Sequence, residues 1–274
     1  MENFKFKKSY GQNFLNDNNI LENIVKESNI KENSLVIEIG PGSGALTKYL
    51  AKEAKNVLAY EIDTRLEDIL YDNLADYHNI EIIFDDFLNR NIKEDVNKYQ
   101  YGNIYVVANI PYYITTPIII KLIESKIEFD AITLMIQKEV GDRFTAKVGS
   151  HDYSSITVFL NYYFDVKKLF LVSRNSFIPK PNVDSVVISL NRKDTKYNVL
   201  NEELFFKIVR DAFQFKRKNL RNNLKKYDLD IINNVLIKYH YDLTVRAEKL
   251  SVEIFVEIAN SLTKNNNIYK KESI

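Results

Sequence analysis

Three of the chain's seven glycines fall within five residues, Gly40-Pro41-Gly42-Ser43-Gly44, between the apolar run Ser34-Leu35-Val36-Ile37-Glu38-Ile39 and an amphipathic stretch at 45–53. A buried strand, a glycine turn and a helix open a parallel α/β sheet, because parallel neighbours need a crossover and the tight turn needs residues without a Cβ. The pattern then repeats. Residues 56–62, 80–84, 104–108 and 131–137 read as strands, with helices at 65–77 and 117–125. Such alternation predicts an α/β sheet with helices on both faces. The apolar segments 156–164 and 185–190 are expected to complete it as strands, as an antiparallel pair. Beyond the polar stretch 192–198 the apolar period turns helical, at Leu204, Phe205, Ile208, Val209 and onward, which predicts three or four helices. The expected organisation is a sheet domain over 1–192 and a small all-α domain over 193–274, with a tail that frays from Lys264.

Composition narrows the chemistry. The 45% hydrophobic and 27% charged fractions suit a soluble globular protein. No apolar run reaches the roughly 20 residues that span a bilayer, and the start lacks a signal-peptide core, so a cytoplasmic protein without a membrane partner is expected. With no cysteine and only three scattered histidines, His78, His151 and His240, metal chemistry is not expected.

The glycine turn fits two nucleotide cofactors. Gly40-x-Gly42-x-x-Ala45, with Glu61 about 20 residues on, matches a dinucleotide fingerprint as well as a site for S-adenosylmethionine. The surrounding acids bear on the choice. Glu38 before the turn would repel a pyrophosphate but favour a sulfonium and an α-amino group. Asp85-Asp86, after the third strand, adds acid where an adenine amine could be read. Acids at three successive strand ends favour a cationic ligand that carries adenosine.

The fourth strand ends in Asn109-Ile110-Pro111-Tyr112. An amide oxygen, a backbone carbonyl set by proline and an aromatic ring suit a planar exocyclic amine. Such an amine is a poor nucleophile until its hydrogens are held by acceptors and its ring is clamped by stacking. Asn109 and Ile110 would supply the acceptors and Tyr112 one stacking face, which points to N-methylation of a base flipped from its stack.

The chain resembles the ribosomal RNA adenine N6,N6-dimethyltransferases of the bacterial small-subunit type. The segments that carry the resemblance run from Lys8-Ser9-Tyr10-Gly11-Gln12-Asn13-Phe14-Leu15 through Glu38 to Gly44, Glu61-Ile62-Asp63 and Ala108 to Pro117. It continues through Met135 to Val140, Phe177-Ile178-Pro179-Lys180-Pro181 to Ser185, and Arg246 to Ser251. The resemblance implies a Rossmann-like class I S-adenosylmethionine-dependent methyltransferase sheet. It implies cofactor contacts from Asn13, Leu15, Glu38, Gly40, Gly42, Gly44, Glu61, Asp86 and Asn109, with Gly40 at the methionine part, Glu61 at the ribose and Asp86 at the adenine. The chain departs from the family in Asp85, where glycine is common. Phe177 is placed by the resemblance on the second face of the target base, beside the catalytic group Asn109, Ile110, Pro111 and Tyr112.

The implied substrate is a pair of adjacent adenosines in the 3′-terminal hairpin loop of small-subunit (16S) rRNA, dimethylated within an immature subunit by a monomer. From Lys207 to Lys249, eleven Lys/Arg face five Asp/Glu, although the whole chain carries only +1. Lys216, Arg217, Lys218 and Arg221, with 217, 218 and 221 expected on one helical strip, and Lys5, Lys7 and Lys8 of the N-terminal arm are the expected phosphate contacts. Large-subunit methyltransferases of the macrolide-resistance type share the catalytic parts; Tyr113, Gln137 to Val140 and Arg246 to Glu248 favour the small-subunit type. A DNA adenine methyltransferase would more often carry Asn/Asp-Pro-Pro-Tyr/Phe. A non-catalytic RNA-binding assembly factor on the same scaffold remains the other alternative.

Overall fold

The computed structural model describes residues 13–15, 17–194 and 197–265, and at Tyr112 the backbone. In chain order the elements are β1 (Phe14–Leu15), α1 (Asn18–Glu27), β2 (Ser34–Ile39), α2 (Ala45–Glu53), β3 (Asn56–Glu61), α3 (Glu67–Leu74) and β4 (Ile80–Phe84). Then come α4 (Ile92–Val96), β5 (Asn103–Asn109), α5 (Thr115–Glu124), β6 (Ala131–Gln137), α6 (Lys138–Phe144), α7 (Ser155–Tyr163) and β7 (Phe164–Val172). The last are β8 (Phe177–Ile178), β9 (Ser185–Arg192), α8 (Glu202–Ala212), α9 (Leu220–Asn223), α10 (Leu229–Lys238) and α11 (Val252–Lys264). Among the described residues, no helix is long and apolar enough to cross a membrane.

The main sheet runs β4-β3-β2-β5-β6-β9-β7, parallel from β4 through β6, with β9 antiparallel to β6. Every residue of β2 is buried, as a central parallel strand covered on both faces requires. Leu35, Val36 and Ile37 are fully buried, and truncating a residue such as Leu35 or Ile37 to alanine costs about 2–5 kcal/mol. Chain order reverses between β2 and β5. In an open α/β sheet that switch point leaves a crevice outside the carboxyl ends of both strands. Gly40 follows one of those ends and Asn109 closes the other.

The chain divides into two compact units. The first runs to Gly141 and includes Lys167–Arg192; the second comprises Asp142–Val166 and the chain from Lys193. Segment 156–164, expected as a strand, is therefore corrected: 156–163 belong to α7 and only Phe164 starts β7. The alternation of Ile156, Val158 and Leu160 imitates a strand. The Ser154 N–H donates to Thr157 Oγ1 at 3.1 Å, part of a capping box, and Thr157, Val158 and Leu160 are buried on a helical face. The second unit packs Phe205, Ile208 and Val209 of α8 with Leu236 of α10 and Phe255, Ile258 and Leu262 of α11. Among the described residues, α8, α9 and α10 are each capped by a side chain, from Asn201, Asn219 and Asp228, and Ser251 precedes α11.

Candidate functional site

A cavity in the first unit opens at the carboxyl ends of β2, β3, β4 and β5. Its walls are the glycine turn, Glu61, Asp85 and Asp86, Asn109 to Pro111, and the β1 segment from Asn13 to Leu15. Gly40, Gly42 and Gly44 all have positive φ, between +61° and +81°, a region that L side chains rarely adopt. At Gly42 a Cβ would stand 2.6 Å from the Phe14 ring, so the absent side chain is what lets β1 lie over the turn. At Gly40 a Cβ would meet nothing within 4 Å, which leaves its backbone facing open space. Gly44 does not line the cavity. It caps α2, and a Cβ there would press on Leu74 at 3.0 Å.

Two buried carboxyls face this space. Glu61 Oε2 accepts the Gly42 N–H at 3.1 Å and Oε1 accepts the Asp63 N–H at 2.9 Å. Burial raises the Glu61 pKa, and those backbone donors offset part of the rise. Glu38 is 2% exposed, and its Oε2 has no hydrogen-bond partner. Burial pushes its pKa up to about 8; the neighbouring Thr47 hydroxyl lowers it, though no well-formed bond joins the two, and Glu61 raises it further. An unpartnered buried acid beside a second one favours a ligand that brings positive charge and donors. The sulfonium and α-amino groups of S-adenosylmethionine meet that requirement, and a pyrophosphate does not.

The third acidic strand end separates its two aspartates. Asp86 Oδ1 accepts the Leu88 N–H at 2.9 Å, which fixes a half-buried side chain at the cavity wall. Asp85 is exposed and pairs with Arg90 at 3.3 Å. Arg90 is gripped from behind by the buried Asp95 at 2.7 Å, which also accepts from Tyr60 Oη at 3.1 Å. The sequence offers no local signal for this clamp. It draws Asp85 towards Arg90, while Asp86 is held at the wall by its own bond to the Leu88 N–H.

Asn109 is half-buried at the end of β5, and its Nδ2 donates to the Asn13 carbonyl at 3.2 Å. That bond turns Oδ1 into the side chain's available acceptor. Ile110 is held by its N–H to the Met135 carbonyl at 3.2 Å, and Pro111 follows at φ −55°. The Tyr112 side chain lies outside the described residues. Tyr113, 58% exposed, lines the cavity and puts an aromatic ring directly after the Asn109–Tyr112 segment.

Phe177 is not brought to the cavity. It is 3% exposed, pairs in register with Leu15 through the β1–β8 ladder, and packs in the apolar cluster with Met135 and Val172. The expectation that it stacks on a target base is corrected here to core packing. Phe14, unassigned before, lines the cavity instead.

In the second unit, Lys216, Arg217 and Lys218 are exposed in the turn between α8 and α9, and Arg221 is exposed on α9. The single helical strip expected for them is thereby corrected, because Phe213 ends α8 and the helix resumes only at Leu220. Lys5, Lys7 and Lys8 lie outside the described residues.

Comparison with known proteins places this arrangement. The profile of the family described as "Ribosomal RNA adenine dimethylase" matches residues 3–264. The "Ribosomal RNA small subunit methyltransferase A" of Bacillus cereus (strain B4264) is 44% identical over 268 residues, 94% of this chain and 92% of that protein. The protein of the same name in Staphylococcus aureus (strain JH9) is 45% identical over 264 residues, 93% of this chain and 89% of the relative. Among solved structures, a dimethyladenosine transferase from Plasmodium falciparum superposes with TM-score 0.79 at 28% identity, covering 94% of this chain and all of that one. The 23S rRNA methyltransferase ErmE superposes with TM-score 0.73 at 27% identity, over 92% of this chain and all of that one. The glycine turn, the buried acids and the Asn109 corner thus sit in a chain that belongs to the ribosomal RNA adenine dimethylase family.

Proposed function

We propose that the chain dimethylates N6 of two adjacent adenosines in the 3′-terminal hairpin loop of small-subunit (16S) rRNA, using S-adenosylmethionine. It acts as a cytoplasmic monomer on an immature small ribosomal subunit. The observation that carries the reading is the Asn109–Asn13 bond, which occupies the amide nitrogen of a side chain in the wall of the cavity that Glu38 and Glu61 also line, and leaves its oxygen as the acceptor. The relatives named for small-subunit rRNA methylation support the choice of RNA.

S-adenosylmethionine, when bound, would supply a methyl group made electrophilic by its sulfonium, with the S–CH3 bond breaking and neutral S-adenosylhomocysteine as the leaving group. Glu38 faces the cationic part, Glu61 the ribose and Asp86 the adenine, while Asn13, Leu15, Gly40 and Gly42 shape the wall. Asn109 Oδ1 and the Ile110 carbonyl accept the two N6 hydrogens of the target and draw its lone pair out of the ring. The nitrogen gains positive charge as it reacts, and these fixed acceptor dipoles stabilise that charge without reorganising. The methylated nitrogen is acidic and loses its proton to water, so no dedicated base is needed. Tyr112 stacks on the base, and Pro111 sets the corner that presents both acceptors. Lys216, Arg217, Lys218 and Arg221, with Lys5, Lys7 and Lys8, neutralise rRNA phosphates.

The deciding experiment is radiolabelled methyl transfer to small subunits that lack the modification, followed by mapping of the labelled bases. Label on the two adjacent loop adenosines is expected. Label on large-subunit RNA or on duplex DNA would replace this reading.

A further inference from the structure

Phe213 and Phe215 stand two residues apart in the turn after α8 and are used in opposite ways. The Phe213 ring packs inward, with its centroid 6.0 Å from that of Phe255 and 6.1 Å from that of Tyr153. Phe215 is 57% exposed and is followed directly by the exposed Lys216, Arg217 and Lys218. The turn that carries it is built to hold its shape. The buried amide of Asn223 donates from Nδ2 to the carbonyls of Ala212 at 2.7 Å and Phe215 at 3.3 Å, and reaches that of Lys218 at 3.5 Å. The Lys218 N–H also donates back to the Phe215 carbonyl at 2.8 Å. Past the turn, the N–H groups of Leu220 and Arg221 donate to the Val245 and Leu243 carbonyls at 2.9 and 3.0 Å. The acid that precedes the turn, Asp211, is already paired with Lys226 at 2.8 Å and with Tyr227 Oη.

We infer that Phe215 is a stacking platform for an unpaired nucleobase of the RNA substrate, presented beside cations that take the flanking phosphates; the inference rests on the rRNA reading above. A large ring held in water by a pinned turn has no folding reason to be aromatic. A flat apolar face next to three consecutive cations complements a single-stranded nucleotide, whose base offers a π-face and whose backbone offers negative charge. Charge complementarity decides the partner, since an apolar protein surface would not need the exposed Lys216, Arg217 and Lys218 directly after the ring in the same turn.

The test measures binding to deproteinised small-subunit rRNA and to small subunits lacking the methylation, each across a salt series, for the wild type, Phe215→Ala and Phe215→Trp. Phe215→Ala should weaken binding to the naked rRNA by about 5- to 150-fold, the range for one lost base–aromatic stack. The slope against log salt should stay at the wild-type value, because no cation is removed. Phe215→Trp should keep the affinity, and since the chain has no tryptophan its single indole should be quenched when RNA binds. Wild-type affinity in Phe215→Ala, or an indole that RNA leaves unchanged, overturns the inference while the rRNA reading stands. A loss seen with subunits but not with naked rRNA also overturns it and assigns the ring to a ribosomal protein. Failure of the wild type itself to bind rRNA with a salt dependence would instead remove the rRNA reading on which the inference rests.

Discussion

Glu61 and Gly42, on adjacent strand ends, are joined by a 3.1 Å hydrogen bond from the glycine N–H to the carboxylate. The residue expected to hold the ribose therefore also pins the glycine turn. Oε2 accepts the Gly42 N–H and Oε1 the Asp63 N–H, so both oxygens are positioned by backbone donors. Glu61→Ala should weaken S-adenosylmethionine binding by about 1.5–3 kcal/mol and lower stability by about 1–3 kcal/mol, because the Gly42 and Asp63 N–H groups lose their partner. Calorimetry and thermal unfolding on the same variant separate the two effects. A destabilised protein with unchanged affinity would leave Glu61 a purely structural residue.

The burial of Glu38 predicts a pH dependence whose sign can be worked out. Its carboxyl titrates at about 8 in the folded chain against an ordinary 4.5, so the folded state holds the proton more tightly. The stability this contributes is fully present below about 4.5 and is lost as pH rises towards 8. A cationic ligand reverses the preference and favours the carboxylate. Cofactor binding should then release a proton and tighten by up to about tenfold per pH unit over roughly pH 6 to 8. Calorimetry in buffers of different ionisation enthalpy reads the proton directly. Glu38→Gln should bind more weakly and lose the release; an unaltered proton count in that variant would assign the linkage to another group.

Asn109 should separate chemistry from binding. Its oxygen acts on the amine most strongly as charge develops, so Asn109→Ala should lower turnover by about 10²–10³-fold with rRNA affinity little changed. Single-turnover methyl transfer and an RNA-binding isotherm provide the two numbers. Equal losses in both would make Asn109 a docking residue, or one whose main task is the bond to Asn13.

The sheet was legible because its signals are local. Strands 34–39, 80–84 and 131–137 are predominantly apolar runs, and the glycines mark a turn where three residues have positive φ. The acids at the strand ends followed from the same reading. What escaped it depends on distant partners. Phe177 is buried because two residues of β8 pair with β1, a ladder too short to leave a period in the sequence. The Arg90 clamp needs Asp95 and Tyr60 from separate elements. At 156–163 the apolar alternation imitates a strand, and the Ser154-x-x-Thr157 capping box is the local signal that marks a helix start instead.

The basic turn of the second unit carries the remaining prediction. Lys216, Arg217 and Lys218 share one exposed turn and Arg221 follows on α9, so the cations form a cluster held by backbone bonds rather than a strip along one helix. Each phosphate neutralised on binding releases condensed counterions, and the slope of log affinity against log salt falls by close to one for each contact removed. Changing Arg217, Lys218 and Arg221 together to Gln should therefore flatten that slope by about two to three and weaken rRNA binding at low salt far more than at high salt. Cofactor affinity should stay at the wild-type value, because the cavity belongs wholly to the first unit. All three side chains are exposed, so the variant should fold, and thermal unfolding checks that it does. A folded variant with the wild-type salt slope would show that these cations only meet water, and the phosphate contacts would then have to come from the N-terminal lysines and the rim of the cavity.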